Sequence, residues 1–295
     1  MRNFFTEIDN NKTKTMLIIA GFIGFMSALG YVASMYFGRD TFSLFLGGSL
    51  IFSGIMTFVS YYYSDQIVLK MSNAIPVERQ TNPEIYNLVE NLCIGSGLPT
   101  PKIYIIEDTA MNAFATGRDP QHGVVCLTTG IISRLNKREL EGVIAHELAH
   151  IGNYDIRLSS LVSVLVGTIV LLSDWLTHGM FYASDEDRNI SPLMIGIFVV
   201  VLIASPIIAT IIQLAISRNR EYLADATAAS MTRYPEGLAS ALEKISGDTE
   251  VLEAANGATA HLYISNPLQN ASGFLANLFS THPPIDERVK RLREM

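Results

Sequence analysis

Two histidines four residues apart flank a glutamate in the run His146-Glu147-Leu148-Ala149-His150. On a helix, residues at that spacing share a face, one turn apart. Two imidazoles so placed can both reach one Zn²⁺ at about 2.0–2.1 Å. Glu147 is displaced round the helix, awkward as a ligand but within reach of a water on the metal. Five residues thus offer a metal-ligand pair and a general base, the equipment for hydrolysing an amide bond. The competing reading is an exposed helix face with two solvated histidines. Against it, Val143, Ile144, Ala145, Leu148, Ala149 and Ile151 make this helix apolar nearly all round, so burial is expected. A buried carboxylate between histidines is costly unless something pairs with it, and a metal is such a partner.

A hydrolytic zinc usually has three protein ligands and an open position, so a third must come from elsewhere. The best candidate is Glu221, in Arg218-Asn219-Arg220-Glu221-Tyr222-Leu223-Ala224-Asp225. The alternative is that Glu221 pairs with Arg218 on a solvated helix. Asp225 tips the balance towards the ligand: it stands one turn beyond Glu221, and ligand histidines normally donate their second N–H to a carboxylate.

The elements that must position these groups come next. Thr15 to Phe37 and Thr41 to Tyr63 are long apolar runs without a charge. Each exceeds the about 20 residues needed to cross a bilayer core. Only Gly38, Arg39 and Asp40 separate them, which implies a tight antiparallel hairpin. A third run, Leu158 to Leu172, is marginal in length; a fourth, Pro192 to Ile216, contains Pro206 and Gln213. Proline is tolerated in a membrane helix whose neighbours satisfy the freed carbonyl. Runs three and four could instead be buried core helices. The first run is too long for a signal-peptide core and a second follows at once, so it should stay as an anchor. Arg2, Lys12 and Lys14 precede the first run, Arg157 precedes the third, and Arg218 and Arg220 follow the fourth, whereas the connection between three and four carries Asp185, Glu186 and Asp187. The positive-inside rule then puts both termini and the large polar segments in the cytoplasm.

In the first polar block, Asn82-Pro83 reads as a cap and first-turn proline. Ile85, Leu88, Val89 and Leu92 follow at helical spacing, with Gly95 ending the run. Lys102 to Glu107, Asn112 to Thr116 and Gly123 to Thr128 read as strands, with Gly117 to His122 as the turn between the last two. Asn136 and Glu139 form a plausible capping box for the helix that carries the histidines. Residues 217–295 look mostly helical.

Composition agrees with a membrane setting. Of 295 residues 49% are hydrophobic and only 17% charged, below the roughly 25% of an ordinary soluble domain. A net charge of −7 without a basic tract argues against a nucleic-acid partner. Cys93 and Cys126 are far apart and read as two buried, reduced thiols.

HELAH followed by an apolar span, then a span ending in RNREYLAD, resembles the HtpX-type membrane proteases, relatives of the CAAX prenyl proteases. The resemblance covers essentially the whole chain, including NAFATG at Asn112 to Gly117 and the closing His282-Pro283-Pro284 with Arg288. It implies one Zn²⁺ held by His146, His150 and Glu221, with Glu147 as base. The family's EExxxD-like pattern occurs here with Arg220 before Glu221, and Asp225 stands at the expected second carboxylate. His282 and Arg288 match a late His and Arg near the cleft that hold the substrate carbonyl or the oxyanion. A tetrahedral oxyanion needs a donor besides the metal; His282 is nominated, its alternative being a surface histidine in a turn, while Arg288, like Asp225, is assigned to the groups supporting the ligands. The strand at Asn112, Ala113 and Phe114 could pair with an extended substrate backbone.

The expectation is therefore a mainly α chain: transmembrane helices plus a cytoplasmic α+β zincin-like metalloprotease domain with a small sheet. Its parts are an amino-terminal hairpin (1–63), the first half of the catalytic domain (64–157), a second membrane-spanning or membrane-dipping hairpin (158–216) and the second half (217–295). The function implied is zinc-dependent cleavage of misfolded or damaged membrane proteins at a bacterial plasma membrane, under stress, with proteins, peptides and the lipid bilayer as partners. A processing peptidase for lipidated peptides would need more spans by the same resemblance. A membrane scaffold or transporter would need intramembrane polar groups, and these runs offer little beyond Ser, Thr and Gln213.

Overall fold

The structure, a computed structural model, describes residues 4–37, 42–182, 196, 218–255, 259–265, 267 and 283–295. Two long helices come first, α1 (Phe4–Phe37) and α2 (Phe42–Met71). Thr13–Val32 and Phe42–Met71 are long and apolar enough to cross a membrane. In α2 the buried positions are Ser53, Ser60, Ser64, Val68 and Leu69, while Leu44, Ile51 and Phe58 are 71%, 65% and 57% exposed. A helix in water does the reverse. Small residues inward and large apolar ones outward is the pattern of a helix in lipid, where close backbone approach, not the hydrophobic effect, holds helices together. Ser60 Oγ donates to Met56 O at 2.6 Å, so its hydroxyl is satisfied within the helix.

Strand β1 (Ile75–Pro76) and helix α3 (Pro83–Ser96) follow. Pro83 opens α3, where its missing N–H costs nothing, but Asn82 makes no side-chain cap bond. Gly95 does not end this helix. It runs on to Gly97, whose φ of 72° is a left-handed turn that glycine adopts without a Cβ clash. Strands β2 (Lys102–Ile106), β3 (Ala113–Thr116) and β4 (Val124–Thr128) lie where expected, each a residue shorter. The sheet order is β1-β2-β4-β3. β2 and β4 run parallel, Ile103 opposite Val125, while β3 pairs antiparallel with β4, Phe114 opposite Cys126. β1 pairs antiparallel with β2, Ile75 opposite Ile105; at two residues, one of them proline, it leaves no periodic signal.

Helix α4 (Thr129–Arg134) leads to α5 (Lys137–Gly152), which carries the histidines. The capping box forms: Asn136 Oδ1 accepts from the amides of Arg138 and Glu139 at 2.9 and 3.1 Å, and Glu139 Oε2 accepts from Asn136 N at 2.9 Å. The third apolar run lies in α6 (Asp155–Tyr182), which does not continue α5. Asn153 and Tyr154 separate them, Tyr154 at a φ of 60°. The chain closes with α7 (Arg218–Thr232), α8 (Pro235–Ser246) and α9 (Ile285–Arg293). The fourth run and the acidic 185–187 connection lie outside the described residues.

Alternation along β3 and β4 divides the packing. Ala113, Ala115, Val125 and Leu127 face Val143, Ile144 and Leu148 of α5. Phe114, Val124 and Cys126 face Val68 and Leu69 of α2 and Tyr263. A third cluster joins Ile18, Phe22 and Met26 of α1 to Leu158, Leu161 and Leu165 of α6. The far side of α5 rests on α8 so closely that a Cβ on Gly142 would come 2.6 Å from Leu238 N. Both cysteines are free and buried; burial pushes the Cys93 thiol up to about 11 and that of Cys126 higher still.

Candidate metal centre

The capped, buried helix α5 presents His146 and His150 with their Nε2 atoms 3.1 Å apart. Helix α7 brings Glu221 to them, with Oε2 3.8 Å from His146 Nε2 and Oε1 3.7 Å from His150 Nε2. One ligand atom from each of the three lies within 4.8 Å of the others. An ion at about 2.0–2.1 Å from tetrahedral ligands sets those ligands about 3.3 Å apart, so this spacing fits a small divalent cation. Each imidazole is backed by a carboxylate: His146 Nδ1 stands 3.0 Å from Asp225 Oδ1, at ion-pair distance though off the angle of a formed hydrogen bond, and His150 Nδ1 stands 3.0 Å from Asp155 Oδ2. Carboxylates in that place turn both Nε2 atoms toward a metal and raise their basicity.

Arg288 of α9 is fully buried and forks onto Asp225, Nε to Oδ2 at 2.9 Å and Nη2 to Oδ1 at 2.7 Å. Its Nη1 is 3.7 Å from Glu221 Oε2, and this buried nitrogen makes no hydrogen bond among the described residues. The lone-pair groups that converge, two imidazole nitrogens and the Glu221 carboxylate, are a donor set that suits a cation.

On the protein's own charges, the three groups of the HELAH turn are driven apart. Burial lowers His146 to about 4, with the nearby cations His150 and Arg288 adding to it against Asp225. Burial also disfavours charge on His150, but the Asp155 hydrogen bond and the carboxylates of Glu221, Asp155 and Glu147 outweigh it and raise that group to about 9. Burial, with Glu221 assisting and His150 and Arg288 opposing, lifts Glu147 to about 7, and an Ala115 amide hydrogen bond tempers the rise. A carboxyl near 7 suits a group that must both take and return a proton at neutral pH.

The cleft over these groups is lined by Ala115, Ser159, His261, Leu262 and Ile264 besides the ligands, with about 30 Å³ of internal space. That is room for ordered water beside the histidines. Ile264 N donates to Ala113 O at 2.9 Å, so a neighbouring segment already pairs with the outer edge of β3. Asn112 Nδ2 donates to Ser265 O at 3.1 Å, binding that same segment. Phe114 is buried against Tyr263, ring centroids 5.0 Å apart, on the sheet face away from α5. Of the residues singled out from sequence, His146, Glu147, His150, Glu221, Asp225 and Arg288 meet at one place; Asn112, Ala113 and Phe114 are engaged with the Tyr263–Ser265 segment, and His282 lies outside the described residues. Asp155 and the Ala115 amide escaped the sequence reading. An acidic residue just past the end of the histidine helix is the signal that could have found Asp155.

The profile of peptidase family M48 matches residues 79–295. The chain belongs to that family. Curated relatives named "Protease HtpX homolog" bear out the HtpX-type resemblance. The relative from Dictyoglomus thermophilum is 45% identical over 295 residues, 99% of this chain and 95% of the relative. That from Tropheryma whipplei is 43% identical over 291 residues, 99% and 98% of the two chains. The crystal structure of S. mikatae Ste24p superposes with a TM-score of 0.51 at 18% identity, covering 98% of this chain and 66% of that one. The likeness to Ste24p concerns the fold alone: transmembrane helices joined to a mostly helical metalloprotease domain with a small sheet. The chain is thus a membrane metallopeptidase acting on proteins or peptides, with a metal cofactor.

Proposed function

We propose that this chain is a zinc endopeptidase working at the cytoplasmic surface of a bacterial plasma membrane. The observation that carries the reading is the convergence of His146, His150 and Glu221 beside a buried Glu147. Two imidazoles and a carboxylate at near-tetrahedral spacing favour Zn²⁺ over harder cations, which prefer all-oxygen sites. Bound there, zinc supplies a Lewis acid that brings the pKa of water towards about 7 and polarises the scissile carbonyl. Glu147 then accepts a proton at its carboxylate and returns it to the leaving amine, held in place by the Ala115 amide. Asp225 and Asp155 keep the two imidazoles turned toward the ion, and Arg288 keeps Asp225 in place. His282 is the proposed second donor to the oxyanion.

Several features support a membrane-surface location. Tyr61, Tyr62 and Tyr63 lie in α2, with Arg118 over the Tyr62 ring at 5.5 Å and Arg157 over the Tyr61 ring at 5.8 Å. Aromatic and basic residues gather at the headgroup level of a bilayer. The basic flanks of the apolar runs support a multi-pass chain with its site in the cytoplasm, and the resemblance to HtpX-type proteases supports misfolded or damaged membrane proteins, accumulated under stress, as substrates. The test is to strip metal from the full chain in detergent, restore Zn²⁺ and follow cleavage of unfolded casein. Cleavage should vanish with chelation and return with zinc; cleavage indifferent to chelator would overturn the reading.

A further inference from the structure

Asp155 stands where three helices meet behind His150. Its Oδ2 faces His150 Nδ1 of α5 at 3.0 Å. Its Oδ1 accepts from Asn11 Nδ2 of α1 at 2.8 Å and lies 3.5 Å from Arg220 Nε of α7, next to Glu221. Asn11, Asp155 and Arg220 are all buried, 3%, 3% and 4% exposed. Burying an asparagine is costly unless its polar atoms are used; Asn11 uses its Nδ2 on Asp155, while its Oδ1 makes no hydrogen bond among the described residues. A carboxylate fixed through one oxygen can aim the other only one way. With Oδ1 hydrogen-bonded by Asn11 of α1 and facing the Arg220 cation of α7, Oδ2 is left for the imidazole, which sends His150 Nε2 toward His146 and Glu221.

We propose that Asn11 is a positioning residue of the metal centre, acting through Asp155 on His150, so that the first helix sets the metal site as well as anchoring the chain. The proposal rests on His150 being a metal ligand. Losing a group behind a ligand typically costs 10–100-fold in metal affinity or activity. Asn11 is one step further out, so about a tenfold loss is expected at this position.

The experiment uses the full chain in detergent, with Zn²⁺ affinity measured by chelator competition and kcat/KM measured on casein. Asn11→Leu and the smaller Asn11→Ala are each made in the parent and in an Asp155→Asn background. Ser27→Ala is the control on the same helix; its Oγ donates to Ile23 O at 2.8 Å, within α1. Both Asn11 variants should bind Zn²⁺ about tenfold more weakly in the parent and show little further loss in the Asp155→Asn background, because coupled residues are non-additive. Parent-like zinc affinity, or an equal loss in both backgrounds, would overturn the proposal; the second result would mark Asn11 as a packing residue only. His150→Ala separates the two readings. If it keeps parent zinc affinity, the metal centre falls and this proposal with it. If it loses zinc while the Asn11 variants bind like the parent, this proposal falls alone.

Discussion

Arg288 and Asp225, on different helices, are joined by two parallel hydrogen bonds of 2.9 and 2.7 Å with the arginine wholly out of solvent. The arginine's charge holds the Asp225 carboxyl below the usual carboxylate range against the opposing effect of burial. Breaking a buried pair by removing one member costs about 3–5 kcal/mol, because the other charge stays buried. Arg288→Ala should therefore lower thermal stability of the metal-free protein by several degrees. Arg288→Lys should recover little, since an ammonium cannot make the fork. An Arg288→Ala protein that unfolds at the parent temperature would remove the fork from the account.

Glu147→Gln deletes the proposed base and no proposed ligand. It should keep stoichiometric zinc by mass spectrometry while casein cleavage falls by at least about 100-fold. Cleavage near the parent rate would reassign the base.

The ligand and its supports should rank by distance from the ion. Glu221→Ala should abolish activity and release zinc, because two histidines alone make a poor site. Asp225→Ala should lose about 10–100-fold. Arg218→Ala, at an exposed position, should change least. If Glu221→Ala binds and cuts normally, Asp225 is the next ligand to test.

Glu139 gives a pH signature away from the centre. Burial raises its pKa, but the Lys244 hydrogen bond at 2.7 Å, the Asn136 amide and Ser240 outweigh it, and the net shift is downward. A depressed carboxyl contributes stability that is fully present above its unfolded value of about 4.3 and disappears as pH falls through the folded value. Glu139→Gln should therefore cost stability at pH 7 and flatten the loss on acidification below about pH 4. Denaturant midpoints of both proteins across pH 3 to 7 decide it; parallel curves would refute it.

Topology can be probed in intact cells. A cysteine at Glu186 should react with an impermeant reagent added outside, and one at Arg79 should not. Labelling at Arg79 would place the site on the wrong face of the membrane.

What the sequence made legible was local. The HELAH helix could be read because one periodicity fixes both its ligands and its apolar faces, and because its capping box spans only Asn136 to Glu139. Glu221 and Asp225 could be read as one turn of a single helix. Asp155 lay beyond the reach of periodicity, because Tyr154 at a φ of 60° breaks the helix, and only its place just past the helix end pointed to it. Asn11 was still less accessible: its contact with Asp155 spans 144 residues and depends on how α1 packs on α6. The cover on the β3 edge likewise comes from a segment with no helical or strand period, around Ile264.

The two-residue joint at Asn153 and Tyr154 leaves almost no slack between the histidine helix and α6, which packs along the membrane-length helix α1. The chemistry is therefore fixed in depth. With α1 crossing the bilayer as proposed, a bond would be cut only where it reaches one level relative to the lipid. Selection by this enzyme would then act on where a substrate's chain is slack and how far it can be drawn toward the membrane, rather than on which side chains flank the bond. The fold would serve as a ruler standing on the lipid surface, and tightly folded segments, or those held too far from that surface, would pass uncut.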